Sequence, residues 1–151
     1  MSSFTTPLIV EKLNGGRYWR VVQEFTYRIG ADGSPEHIDI PADFVTDFGS
    51  IPRPFWNMLS PTGKPGKAYV IHDGLYQGKG IQWEYSLQPP GEMAPPIIIS
   101  RVRQPTRKEA DDILFEAMGV LGVNGVTKRI VYWGVRVGGW AAWDQNRKEA
   151  A

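Results

Sequence analysis

A chain of 151 residues, 42% hydrophobic and 22% charged, is long enough to bury a core of its own, and its composition is that of a globular protein rather than a disordered one. A net charge of +1 gives no bulk attraction for nucleic acid or an anionic membrane, and the absence of cysteine excludes disulfides and cysteine-ligated zinc. No stretch reaches about 18 apolar residues, so no membrane-spanning helix is expected, and the start of the chain lacks the basic and apolar parts of a signal peptide. With 12 prolines and 17 glycines, many turns are expected within a single domain over residues 1–151.

The first half reads as strands. Leu8-Ile9-Val10 leads through Asn14-Gly15-Gly16 into an alternating run from Tyr18 to Ile29, whose odd positions are the more apolar. A second turn at Ala31 to Pro35 feeds His37 to Ile40, giving a meander of three or four antiparallel strands. Phe44 to Pro52 is irregular chain or a short helix, with Ser50 as a candidate N-cap for a turn through Phe55, Trp56 and Leu59.

Helices follow. From 66 to 77, Ala68, Ile71, His72 and Leu75 recur at helical spacing and form an inward arc that places His72 mid-face and Asp73 at its edge. Residues 78–104 hold two strand-like runs, Ile81 to Tyr85 and Ile97 to Ile99, joined by a proline-rich connection, and predict a projecting hairpin suited to recognition. Thr106-x-x-Glu109 is a capping box opening a helix to about Leu121, with Gly122 as its stop. In that helix Asp111 borders the buried stripe, whereas Asp112 points to water. The last helix, from about Val126 to Trp143, carries an apolar stripe of Ile130, Trp133, Val137 and Trp140, and its glycines suggest close approach by other elements; Gln145 onward is expected to fray. The expected architecture is α+β: an N-terminal antiparallel meander packed on about three helices, with a hairpin insertion at about 78–104.

The chemistry concentrates at His72, Asp73, Tyr76 and Asp111. A buried histidine and carboxylate must satisfy each other or bind something, because desolvation opposes charging either one. With the two helices packed together, Asp111 would accept from one imidazole nitrogen and leave the other to take a proton from water, the base-plus-orienter arrangement of hydrolases. Asp73 could hold a hard cation such as Ca²⁺ or Mg²⁺, with Asp47 and Ser50 completing the site. The plainer alternative is a pair that only fixes helix register, with Tyr69 and Tyr76 as core aromatics and Asp47 as a turn residue. His37 is assigned no role, and phosphate-binding glycine signatures are absent.

Two resemblances meet at these residues. Ile40-Pro41-x-x-Phe44-x-Thr46-Asp47-Phe48-x-Ser50-Ile51-Pro52, then Ala68-x-x-Ile71-His72-Asp73-x-Leu75-Tyr76, then Arg107-x-x-Ala110-Asp111-x-Ile113 and a Trp-bearing last helix resemble domain-of-unknown-function family 1353, found in phages and prophages. That resemblance implies a bacteriophage or prophage origin and brings no activity; the 78–104 insertion departs from the family's compactness. Locally, His72-Asp73-x-x-Tyr76 followed by Asp111 resembles the active-site helices of phospholipases A2. The roles this implies are His72 as base, Asp73 as Ca²⁺ ligand, and Tyr76 and Asp111 as the groups that hold the imidazole. The chain departs from that family in lacking cysteines and the glycine-rich calcium loop, and in its β-rich first half.

Three functional expectations result: a hydrolase acting on the host envelope, a virion or assembly protein with a structural cluster, and an effector that binds a host protein. Synthesis in the host cytoplasm, possible carriage in the virion, contacts with other virion proteins or the envelope, possible oligomerisation and no nucleic-acid partner complete them.

Overall fold

The computed structural model describes residues 3–15, 17–48, 63–91 and 94–150. The expected N-cap at Ser50 and the turn through Phe55, Trp56 and Leu59 lie outside the described residues. Eight strands and four helices are ordered as β1 (Ser3–Phe4), β2 (Val10–Lys12), β3 (Trp19–Val21), β4 (Phe25–Arg28), β5 (Glu36–Ile40), β6 (Val45–Thr46), α1 (Gly66–Tyr76), β7 (Ile81–Leu87), β8 (Ile97–Arg103), α2 (Arg107–Val120), α3 (Gly125–Gly138) and α4 (Trp140–Ala150) among the described residues. The class is α+β, as expected.

The expected single meander is two sheets, a five-stranded one in the order β1-β4-β5-β7-β8 and a three-stranded one in the order β2-β3-β6. The Tyr18–Ile29 run is divided between them. Val21 exchanges backbone hydrogen bonds with Asp43 and Phe44, whereas Phe25, four residues on, pairs with Ile40. Alternation survives the break: Val21, Phe25 and Tyr27 are all buried, so the odd face points to one core from both sheets.

The hairpin at 78–104 forms as expected and is longer than its sequence signal. Its strands pair from Ile81↔Arg103 to Leu87↔Ile97, but β7 meets β5 only at Glu36↔Trp83 and His37↔Gln82. The outer half therefore projects, with Glu84 to Leu87 exposed. Arg103 fastens the base, donating to Glu36 at 3.0 Å and to Glu109 at 2.7 Å.

α1 is the centre of the molecule. Every residue from Ala68 to Tyr76 is buried, so the inward arc read from its periodicity is only one of its covered faces. It packs on α2, β5, β6 and α4. Full enclosure is what buries two adjacent polar residues: His72 and Asp73 stand about 100° apart on the helix and meet different neighbours.

α2 begins at Thr106, whose hydroxyl accepts from the Glu109 N–H at 3.2 Å. It ends in a Schellman arrangement: the Val123 N–H reaches the Met118 carbonyl, the Gly122 N–H reaches that of Gly119, and Gly122 takes φ +72°. The expected last helix is divided at Gly139 into α3 and α4. Its apolar stripe faces outward: Trp133, Val137 and Trp140 are 64%, 74% and 61% exposed, and Val131 and Val135 are the buried residues of α3. The reason is polar, since α3 must turn Arg136 toward a carboxylate in the interior, Asp111. The tail expected to fray is helical through Ala150. Trp143 joins the core edge-on to Tyr76 at 5.0 Å, with the Arg147 guanidinium 4.4 Å from its ring centre.

At the division, Gly139 permits a close approach by Tyr76. A β-carbon there would lie 2.6 Å from the Val135 carbonyl oxygen and 2.7 Å from the Tyr76 hydroxyl. Its backbone angles, φ −79° and ψ −8°, suit alanine, so propensity alone would favour Gly139→Ala by about 1 kcal/mol. Overpacking outweighs that gain, and the substitution should destabilise the protein by about 1–3 kcal/mol. Urea unfolding followed by tryptophan fluorescence measures this; an increase in the midpoint would contradict the close approach.

Candidate functional site

Asp111 is fully buried and organises the interior around it. His72 Nε2 lies 2.8 Å from its Oδ1, and the Tyr76 hydroxyl donates to the same oxygen at 2.8 Å. Arg136 Nη1 donates to Oδ2 at 2.9 Å, with Arg107 Nη1 at 3.7 Å. Arg107 also donates to the Arg136 carbonyl at 3.1 Å, so one guanidinium ties the end of α3 to the start of α2. The expected pairing of His72 with Asp111 across the two helices is thus present, and Tyr76 joins it. The Tyr69 hydroxyl, by contrast, is buried without a hydrogen-bond partner among the described residues and reaches neither carboxylate.

Burial opposes charge on Asp111, but the His72 bond and charge, then the Arg136 and Tyr76 bonds, outweigh it and hold the carboxyl below its usual range. Burial, with Asp111's charge beside it, pushes the Tyr76 phenol up, so it stays a hydrogen-bond donor. Its ring also lies 4.2 Å from that of His72, centre to centre. His72 is 2% exposed. Its α2 side is closed by these contacts.

Asp73 faces β6 instead. It is 6% exposed and accepts from the Thr46 hydroxyl at 2.6 Å. The same hydroxyl accepts from the Phe48 N–H at 3.1 Å. Phe48 is buried at φ +49°, a left-handed conformation costing a bulky residue about 1–3 kcal/mol and often found beside functional groups. Burial pushes the Asp73 carboxyl up to about 6; the Asp47 charge adds to this, while Thr46, His72 and Gln77 act against it.

Asp47, Asp73 and Gln77 lie on the wall of an open cleft of roughly 720 Å³, a size typical of ligand sites. His72 does not line it and faces α2 instead. The candidate residues therefore fall into two sets joined through α1: a closed cluster of His72, Tyr76 and Asp111, and a cleft-facing pair of Asp47 and Asp73. Among the described residues no group of three or more His, Asp or Glu side chains is placed to hold a metal ion. Two carboxylates suit a hard cation that keeps several waters, as Mg²⁺ does, and the buried charge of Asp73 is one that a cation would relieve.

Sequence reasoning missed Arg136 and the bond from Thr46. Arg136 had a signal, a cation between two valines in the otherwise apolar second half of α3. Thr46 had none beyond its place in a motif. His37 is buried, with Nδ1 3.1 Å from the Pro35 carbonyl, a local contact that asks for no functional role.

The structure defines an α+β protein built round a buried histidine–aspartate pair. The family described as Protein of unknown function (DUF1353) matches residues 19–135, a span that includes every candidate residue, and the chain belongs to that family. No curated protein and no solved structure matches it. No helix among the described residues is long and apolar enough to cross a membrane.

The two aspartates respond to acid with opposite signs. Asp111, held low, contributes stability above its unfolded pKa that is lost as pH falls. Asp73, held high, takes up a proton on folding, so its contribution is full below about pH 4 and is lost as pH rises through about 6. Above that, its buried charge costs up to about 3 kcal/mol. Asp73→Asn should therefore raise the urea midpoint at pH 7.5, with the gain vanishing near pH 4; a lower midpoint at pH 7.5 would contradict the assignment. Asp111→Ala, which strands His72, Tyr76 and Arg136, should cost about 3–5 kcal/mol, and a thermal melt matching wild type would show that these contacts contribute nothing.

Proposed function

We propose that the protein is a bacteriophage or prophage hydrolase acting on the host envelope, with its reaction centred between His72 and the Asp47–Asp73 cleft. One observation carries the reading: Asp111 Oδ1 receives both His72 Nε2 and the Tyr76 hydroxyl at 2.8 Å. A histidine fixed through one nitrogen by a buried carboxylate is a general base with its orienting group. Nδ1 is then the nitrogen that takes a proton from water. In this reading the water approaches on the Asp73 side, away from the contacts that close the α2 side.

Asp73 and Asp47 would hold a Ca²⁺ or Mg²⁺ ion, whose chemistry there is to polarise the bond under attack and to stabilise the negative charge that develops. The local pattern of His72, Asp73, Tyr76 and Asp111 supports this through its likeness to phospholipase A2 helices, by analogy of arrangement rather than of fold. Phage origin is supported by the motif order. Synthesis in the host cytoplasm and delivery with the virion belong to the same reading, and nucleic acid is not a partner in it.

A second reading has its own support. Val126, Trp133, Val137 and Trp140 are exposed along α3 and the start of α4, and Ile97, Ile98 and Val102 along β8. Exposed apolar surfaces of this kind mark contacts with other proteins, as a virion or assembly component would make, and the buried cluster would then serve only stability.

Titration calorimetry with Ca²⁺ and Mg²⁺ on wild type and Asp73→Ala separates the two. The hydrolase reading expects binding to wild type weakened at least tenfold in the variant. No binding to either would leave the assembly reading as the better account.

A further inference from the structure

We infer that the cleft beside Asp73 binds a neutral glycan strand, rich in hydroxyl and acetamido groups, rather than a phospholipid. This names the substrate class of the proposed hydrolytic site and so rests on that reading for any chemical step after binding; the binding itself stands on the cleft alone.

The far wall of the cleft is one face of α4. Ala142, Gln145, Asn146 and Glu149 all line it, and their spacing of three, four and seven residues is that of a single helical face. The inward face of α2, by contrast, is apolar and packed apart from Asp111. On α4 it is one small residue followed by two amides and a carboxylate, turned toward a cavity. Gln77, the C-cap of α1, adds a third amide to the opposite wall, its Nε2 3.3 Å from the Val45 carbonyl. Tyr18 stands at the rim, 48% exposed, with the Arg17 guanidinium 5.8 Å from its ring centre.

Each component has a counterpart on a sugar. A side-chain amide both donates and accepts, as do a hydroxyl and an acetamido group, so three amides around one cavity match a ligand that presents both functions along its length. An aromatic ring at a rim offers a flat apolar face to the C–H face of a pyranose while its hydroxyl stays wet. An acyl chain needs an apolar wall, and among the described residues only Val45 and Ala142 supply aliphatic lining. Glu149 on the far wall also opposes an anionic headgroup. An open, polar cleft of roughly 720 Å³ admits several sugar units of a strand without enclosing its ends.

The test uses the full-length protein and three probes: a tetrasaccharide of N-acetylglucosamine, an uncharged hydrophilic pentapeptide, and vesicles of phosphatidylethanolamine with phosphatidylglycerol. Binding is read by titration calorimetry and by ¹⁵N-amide shifts, in wild type, Tyr18→Ala, Asn146→Ala and, as a control remote from the cleft, Trp133→Ser. The inference expects saturable tetrasaccharide binding with shifts at Tyr18, Gln77 and Asn146. It expects at least a tenfold loss in each cleft variant at unchanged melting temperature, and none in the control. Tetrasaccharide binding without cleavage of any glycan would uphold the inference and count against the hydrolase. Hydrolysis of the vesicle lipid with no tetrasaccharide binding would overturn the inference and keep the hydrolase. Preferential binding of the pentapeptide would overturn it as well.

Discussion

The interior depends on one charge. Asp111 is a carboxylate with no access to water, and a bare ion in that position would cost several kcal/mol. It is tolerated because α1 supplies His72 and Tyr76, α3 supplies Arg136, and Arg107 one turn before it lies within reach. Those demands fix much else. α3 must direct Arg136 inward, which turns Trp133 and Val137 out. α1 must present His72 to α2, which leaves the adjacent Asp73 to face β6 and the cleft. Tyr76 must reach Asp111 past α4, which only a glycine at 139 permits.

This arrangement bears on the choice between a structural and a chemical role. A cluster that served only register would be satisfied by Asp111 and its partners, and Asp73 would have no reason to be ionisable. Instead Asp73 carries a carboxylate that burial disfavours, next to a second carboxylate, on a cleft, beside a phenylalanine in a strained conformation. Natural sequences keep such costly features where function requires them. The two halves of the cluster are thus of different kinds: one lowers the energy of the fold and the other raises it.

How much was legible in the sequence follows from the same physics. α1, α2 and the hairpin were readable because each has a clear period and punctuation, such as Thr106 with Glu109 and Gly122 around α2. The pairing of His72 with Asp111 was readable because each sits within an apolar face and must find a partner. The division of the Tyr18–Ile29 run was not: alternation is preserved across a bend, and nothing in Val22 to Glu24 says that β3 and β4 belong to different sheets. The direction of α3 escapes a sequence reading for a related reason. Its most apolar stripe, Ile130, Trp133, Val137 and Trp140, suggests the buried face, but the helix's orientation is set by a long-range bond from Arg136, which no window along the chain reveals. The polarity of the Gln145–Glu149 segment suggests fraying. It reflects a wall of the cleft rather than a free end.

The central claim is that Asp111 holds His72 through Nε2 and leaves Nδ1 as the nitrogen available for chemistry. Long-range ¹H–¹⁵N correlation on ¹⁵N-labelled protein near neutral pH reports which ring nitrogen carries a proton and whether that proton is hydrogen-bonded. The account predicts a protonated, strongly hydrogen-bonded Nε2 for His72, with that signature lost in Asp111→Asn. A His72 ring with Nε2 unprotonated, or with the same spectrum in both proteins, would contradict it.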